Sequence, residues 1–341
     1  MRIWIDLANS PHVPFFRSLT NEFEKLGHEV IVSARSFAET VPMAEAAGFA
    51  PEVIGGHGGG ALAGKAGNLV QRAMALARWA RGKKLGMAVS HNSYSQILAA
   101  RALSLRAVTL MDYEHQPANH LAFRFASRII VPRAFPEEAL KRYGAQPGKV
   151  RRFDGLKEDV YLADFQTNAQ FANQLRHLGI GLSDVLVTVR PPASEALYHR
   201  FENELFEQLL NHLRAAPDTK VLLLPRSDSQ RQTYAKAMSG KLIVPSQVLD
   251  GPNLIAHSDL VISAGGTMNR EAAALGVPAA SIYAGAWAAI DEQLIKQGRL
   301  IKITSPEDVA TLVVQKKVSR NARRAVGVKK QVVDLILESG V

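Results

Sequence analysis

Short runs of Val, Ile and Leu separated by helical stretches recur along the whole chain, and this alternation limits the possible folds more than any single residue does. The first set lies at Arg2–Leu7, Glu29–Ala34, Met87–Ser90, Ala107–Met111 and Arg128–Val131. A second set follows at Asp184–Val189, Lys220–Leu224, Lys241–Val244, Asp259–Ser263 and Pro278–Ile282. Strands that alternate with helices pair in parallel, because each helix carries the chain back to the starting end of the sheet. Each set therefore predicts an α/β domain with a doubly wound, Rossmann-like sheet, and 341 residues suit two cores better than one.

Between the sets the segment 155–181, with its KEDVYLADFQTN, is polar and has no strand signal, so the boundary is expected there. This places an N-terminal Rossmann-like domain at 1–160, a second at 161–310, and a tail at 311–341 whose helix packs back on the first. Ser305-Pro306-Glu307-Asp308 reads as a helix start, with a serine cap and acids at the positive end of the dipole. Doubly wound sheets bind ligands beyond the carboxyl ends of their strands, and two such domains facing each other enclose a cleft. Candidate site residues are thus sought after Leu7, Ser90, Met111, Val189, Leu224, Ser263 and Ile282.

Composition narrows the function classes. Apolar residues at 47% and charged residues at 21% describe a folded globular chain, and no stretch reaches the ~18 apolar residues that cross a bilayer. Asp6 interrupts the first apolar run, which speaks against a cleavable signal peptide and for a cytoplasmic protein. Zero cysteines exclude disulfides, thiolate zinc sites and a cysteine nucleophile. The net charge of +10 favours anionic partners, whether nucleotides, nucleic acid or membrane headgroups. The excess is dispersed and neither a ribonucleoprotein nor a zinc-finger pattern is present, which argues against dedicated nucleic-acid binding.

Two glycine-rich stretches compete for a phosphate. GGALAGKA, from Gly59, has the spacing of a phosphate-binding loop, but Ala66 replaces the magnesium-binding hydroxyl and no D-x-D occurs anywhere. It reads as a chance match, leaving His57, Gly58 and Gly59 as a candidate lid on the acceptor side. The following segment, Lys65 to Leu85, reads as an amphipathic helix with Leu69, Val70, Ala73, Leu76, Ala77 and Ala80 on one face and Arg72 and Arg78 elsewhere. Met74, Trp79 and the basic run Arg81 to Lys84 would suit an anionic membrane surface.

The stronger stretch is SAGGTMNREAAALGVP, from Ser263 to Pro278. Gly265 and Gly266 admit close backbone approach, and the helix after them aims free N–H groups at an anion. Glu271 stands where a carboxylate can meet ribose hydroxyls. Taken alone, a glycine pair after a strand is as readily a tight turn and Glu271 a solvated helix residue.

Ala264 to Pro278 resembles the donor-nucleotide signature of glycosyltransferase-B enzymes. Ser10 to Ala34 is similar to the opening of the transferase that adds N-acetylglucosamine in lipid II synthesis, with Pro11 in place of the usual glycine and His12 at the histidine position. Met111 to Pro132 and Val185 to Ala196 resemble non-hydrolysing UDP-N-acetylglucosamine 2-epimerases. Glu114 matches an acidic position of that family, whereas Thr188-Val189-Arg190-Pro191-Pro192-Ala193-Ser194 lacks the histidine and glutamate of its T-x-H-R-R-E-N. Nearly the whole chain resembles a family of glycosyltransferase-B-like proteins found with surface-polysaccharide genes.

The resemblance implies a GT-B fold and a metal-independent glycosyltransferase without a cofactor, taking a nucleotide-diphosphate sugar, in particular a UDP-sugar, to a glycan or lipid-linked acceptor. Gly265, Gly266 and Thr267 would hold the diphosphate, Glu271 the ribose, Arg190 and Arg226 the leaving-group charge, and Asp291 the donor sugar. His12 would take the acceptor proton, an ordinary task for an imidazole with an unperturbed pKa near 6.5. Glu114 joins it as a catalytic candidate, with Asp112 and His115 on the acceptor side. Asp112, Glu114 and His115 could also be read as metal ligands, but no second cluster of ligand spacing supports them. The polar strand end His91-Asn92-Ser93 has its counterpart in Arg226-Ser227-Asp228 of the second set. Two alternatives remain: a 2-epimerase-like isomerase, or a non-catalytic protein that binds nucleotide sugars or RNA.

Overall fold

A computed structural model describes residues 1–56, 62–192, 199–318 and 322–338. The chain divides into two units, Met1–Tyr161 with Ala288–Ile290 and Ala325–Val341, and Leu162–Trp287 with Asp291–Arg324.

The first unit is built on seven strands: β1 Arg2–Leu7, β2 Glu29–Ala34, β3 Glu52–Val53, β4 Met87–His91, β5 Arg106–Leu110, β6 Arg128–Pro132 and β7 Val150–Phe153. They pair in parallel in the order β3-β2-β1-β4-β5-β6-β7, so the order reverses between β1 and β4. The second unit holds β8 Val185–Arg190, β9 Thr219–Leu223, β10 Leu242–Ile243, β11 Leu260–Ser263, β12 Ala279–Ser281 and β13 Ile301–Lys302. Its order, β10-β9-β8-β11-β12-β13, is parallel too and reverses between β8 and β11. Central strands such as β1, β4 and β8 are buried nearly end to end, as strands covered by helices on both faces must be. These are the two Rossmann-like sheets that the alternation predicts.

The strands absent from the sequence reading are edge strands. β7 reads VRRF and β13 is the dipeptide Ile301–Lys302. Short, charged edges blunt a sheet against further pairing, and the same charges remove the apolar run that would reveal them.

Two charge assignments change. Arg72, expected off the apolar face of its helix, is 7% exposed and pairs with the fully buried Asp6 of β1. Its helix, Leu62–Ala80, thereby docks on the middle of the sheet. The boundary segment is also less solvated than its composition suggests, with Lys157, Glu158 and Asp159 all buried.

Residues 311–324 group with the second unit, and the last helix, Val326–Leu337, belongs to the first. Val328, Val332, Val333 and Ile336 of that helix join Phe16, Phe23 and Val160 in one core. At its C-terminus Arg128 Nη1 donates to Leu335 O (2.8 Å), Arg106 Nη2 donates to Ile336 O (3.2 Å), and Arg151 Nε donates to the Glu338 carboxylate (2.8 Å). Carbonyls that a helix end leaves without partners are thus satisfied by side chains. The serine cap at 305 forms with the full reciprocal box, Ser305 to Asp308 and back.

At Gly155 the last helix comes close. A Cβ there would lie 2.7 Å from Val328 Cγ2 and 2.9 Å from Asp159 Oδ2. Gly155→Ala is therefore expected to cost about 1–3 kcal/mol through overpacking, read as a lower midpoint in urea unfolding.

Candidate active site

The carboxyl ends of β8, β9 and β11 bring the basic residues of the second unit together. Arg190 ends β8 in register with Ser263 of β11, and Ala264 N donates to Arg190 O at 3.2 Å. Arg226 follows β9; its Nε donates to Pro191 O (2.7 Å), and its amide is held by Gln230 Oε1 (2.8 Å). A Cβ on Gly265 would stand 3.1 Å from Arg226 Nη2. The glycine lets this guanidinium lie against the turn.

The helix after that turn, Gly266–Leu275, begins without a side-chain cap and has no acid in its first turn. Its first N–H groups and positive dipole end thus lack a side-chain partner from the cap, the arrangement on which helix starts bind anions. Asn269 Nδ2 donates to Ser263 O (3.1 Å), and Gly265 N donates to Ser263 Oγ (3.1 Å), which fix the turn from within. Gly276 closes the helix in the left-handed conformation at φ 74°.

Charge at this point is unbalanced. Crowding by protein atoms, and then the neighbouring Arg190, draw Arg226 down to about 10. Its surface is nevertheless open to solvent. Burial also lowers Arg190, opposed by the carboxylate of Glu271, and Arg190 Nε is buried with no hydrogen-bond partner among the described residues. Among the described residues two guanidiniums, one carboxylate and a helix N-terminus meet at this turn, an excess of positive charge that suits an anion.

Thr267 lies in the first turn of this helix. Asp291, expected at the donor sugar, is buried and accepts from Arg270 on both oxygens, at 2.7 and 2.9 Å. Arg270 packs against the turn as well, since a Cβ on Gly266 would lie 3.1 Å from its Cζ. Sequence reasoning missed Arg270, because an arginine inside a helix has no marker for burial.

In the first unit the polar residues gather where the strand order reverses. His12 opens the helix His12–Lys25 and is 8% exposed; His91 ends β4. Their ring centroids are 4.6 Å apart with a 40° tilt, and Phe15 meets His91 edge-on at 6.0 Å. His91 Nε2 lies 3.5 Å from Asp112 Oδ1, and Lys157 Nζ lies 3.3 Å from Asp112 Oδ2. Burial, then His91 and Lys157, hold His12 well below the ordinary histidine value of 6.5, with only Asp112 opposing. His12 is therefore a neutral imidazole at neutral pH, and its Nδ1 is buried without a hydrogen-bond partner among the described residues.

Glu114 is buried; its Oε1 accepts from Ala289 N (2.7 Å) and lies 3.8 Å from the Nε2 of the exposed His115. His57, Gly58 and Gly59 lie outside the described residues. Lys157 and Glu158, the partners of this cluster, were not among the expected site residues.

The chain belongs to the family described as protein of unknown function (DUF354), whose family model spans residues 1–341. A relative in Methanocaldococcus jannaschii, the uncharacterized protein MJ0665, is 29% identical over 317 residues, 91% of this chain and 90% of that protein. Among solved structures, the UDP-GlcNAc 2-epimerase of the same organism, in complex with UDP-GlcNAc and UDP, matches at TM-score 0.76 and 14% identity, covering 99% of this chain and all (100%) of that one. The Anabaena protein Alr3699/HepE, in complex with UDP and glucose, matches at TM-score 0.66 and 15% identity, with 99% of each chain covered. The glycotransferase of kitacinnamycin matches at TM-score 0.62 and 14% identity over 98% of each chain. At such identities the likeness is one of fold, and the fold is of the GT-B type.

Proposed function

We propose that this DUF354 chain is a glycosyltransferase that takes a sugar from a nucleotide diphosphate, in particular from a UDP-sugar, without a metal. The observation that carries this reading is the Arg190–Arg226 pair beside the uncapped N-terminus of Gly266–Leu275. An anion there relieves guanidinium crowding and supplies what the backbone N–H groups lack. The resemblance to solved proteins in complex with UDP and UDP-GlcNAc supports the choice of nucleotide.

In the proposed reaction an acceptor hydroxyl oxygen bonds to the anomeric carbon as the bond from that carbon to the diphosphate oxygen breaks. The hydroxyl proton passes to the neutral His12 imidazole, and the bonding pair leaves on the diphosphate, whose charge Arg190, Arg226 and the helix amides take up. Gly265, Gly266 and Thr267 hold the diphosphate, and Glu271 accepts from the ribose hydroxyls. Asp291, which also orients Arg270, serves the donor sugar. Glu114, Asp112 and His115 serve the acceptor side. A lipid-linked glycan would suit the exposed Val70, Met74, Arg78 and Arg81 on and beside one helix, which favour peripheral contact with an anionic membrane. No helix among the described residues is long and apolar enough to cross one.

Titration calorimetry with UDP tests the donor site. Glu271→Ala is expected to weaken binding roughly tenfold, the effect of a hydrogen bond to a charged group. Unchanged affinity overturns the assignment.

The buried carboxylates Asp112, Glu114 and Glu158 favour a second reading, an isomerase of the 2-epimerase kind. UDP-N-acetylglucosamine incubated in heavy water without acceptor separates the two. An epimerase exchanges the proton at C2, and a transferase leaves it in place. Polyanion binding that falls steeply with salt and ignores UDP would instead point to an RNA-binding protein.

A further inference from the structure

The polar boundary segment brings the least expected charges into the first unit. Lys157, Glu158 and Asp159 expose only 5%, 0% and 1% of their surface. Asp159 has a local task, since its Oδ2 accepts from the Leu156 amide at 2.8 Å. Lys157 faces inward: its ammonium stands 3.3 Å from Asp112 Oδ2 and 3.3 Å from Glu158 Oε1. Asp112, through its other oxygen, faces His91 at 3.5 Å, and His91 lies against His12. One chain of titratable groups therefore runs from Glu158 to His12 inside the unit.

We propose that Lys157 is a positioning residue for proton transfer: its buried ammonium, 3.3 Å from both Asp112 and Glu158, holds the Asp112 carboxylate beside His91 and offsets the pull of that carboxylate on a proton at the neighbouring His12. The inference rests on the reading of His12 as the acceptor base. Among the described residues the groups that act on His12 are His91 at the end of β4, Asp112 after β5, and Lys157 ahead of the short helix Asp159–Leu162, where Glu158 meets Lys157. Asp6 of β1 is occupied by Arg72, and Glu114 by the Ala289 amide. A second positive charge beside an ammonium in a poorly solvated interior is opposed far more than in water. Without Lys157, Asp112 and Glu158 would invite the proton onto His12, and a protonated imidazole cannot serve as base.

The test is an NMR titration of the histidine rings in the full chain, with the His12 signal assigned by its loss in His12→Gln. Native His12 is expected to titrate below the ordinary histidine value, and in Lys157→Met its midpoint should rise by about one unit or more. Lys157→Arg, which keeps the charge, should leave it in place. Because Lys157→Met takes the ammonium from between two buried carboxylates, Lys157→Met/Glu158→Gln, which removes one charge of each sign, is titrated alongside. A His12 midpoint that stays put in this folded double variant overturns the proposal.

Transfer activity separates the proposal from the reading beneath it. A raised His12 midpoint should move the acid limb of the rate profile to higher pH by the same amount, leaving the rate unchanged at pH values above both midpoints. If the NMR midpoint moves and the acid limb does not, Lys157 tunes His12 as proposed, and it is His12 as acceptor base that fails.

Discussion

Arg226→Ala is expected to weaken UDP binding about 10- to 100-fold while leaving the unliganded protein within about 1 kcal/mol of its original stability. The affinity loss follows from charge-assisted hydrogen bonds to phosphate, each contributing on the order of 1.5–3 kcal/mol. The stability argument is separate. Without a ligand this guanidinium is crowded by protein and by Arg190, enough to lower it to about 10, and its one described side-chain bond is to Pro191 O. Removing it loses that bond and relieves the repulsion, and the two effects oppose each other. Calorimetry with UDP and thermal unfolding without it measure the two halves. A structural arginine would lose stability and affinity together, and that outcome would remove Arg226 from the donor site. Arg226→Lys should fall between, since an ammonium keeps the charge and loses the planar fork.

The second large effect lies beneath the first unit's histidines. Asp6 is fully buried and accepts from Arg72 Nη1 and Nη2 at 2.8 Å each, from Ser33 Oγ at 2.6 Å, and from Ser93 Oγ. Arg72 also donates through Nε to Ile54 O at 2.8 Å, and Gly55, at φ 80°, leaves room for its side chain. The pair joins the helix Leu62–Ala80, strand β1 and the turn after β3. Asp6→Ala leaves an unpaired guanidinium in the interior and is expected to cost about 3–5 kcal/mol in urea unfolding. Asp6→Leu combined with Arg72→Met removes both charges and should cost clearly less than the two single changes added. Additive costs would mean that the two side chains do not act as a pair.

Both predictions concern charges, and charges are where sequence and structure part. The parallel sheets were legible because central strands, covered on both faces, must be apolar along their length: IWIDL and VLVTV declare themselves. The turn at Gly265 and Gly266 was legible because a glycine pair between a strand and a helix carries its own conformational reason. The edge strand VRRF was not, since an edge needs no apolar run. Arg72 sat at a helical position that reads as solvent-facing, and Lys157 in a stretch that reads as a linker. Each is buried because an acid from elsewhere in the chain, Asp6 or Asp112, meets it inside.

By itself the sequence determined the class of fold, two Rossmann-like sheets, and the helix that starts at the Gly265–Gly266 turn. These follow from local periodicity and from the backbone freedom of glycine, both of which act over a few residues. Only the tertiary structure decided which charged side chains leave the solvent and with whom: Asp6 with Arg72, Asp291 with Arg270, Lys157 with Asp112 and Glu158. An ionised group enters the interior only when a partner compensates its desolvation. Apart from Glu158, next to Lys157 in the chain, that partner lies tens of residues away, beyond the reach of any local pattern.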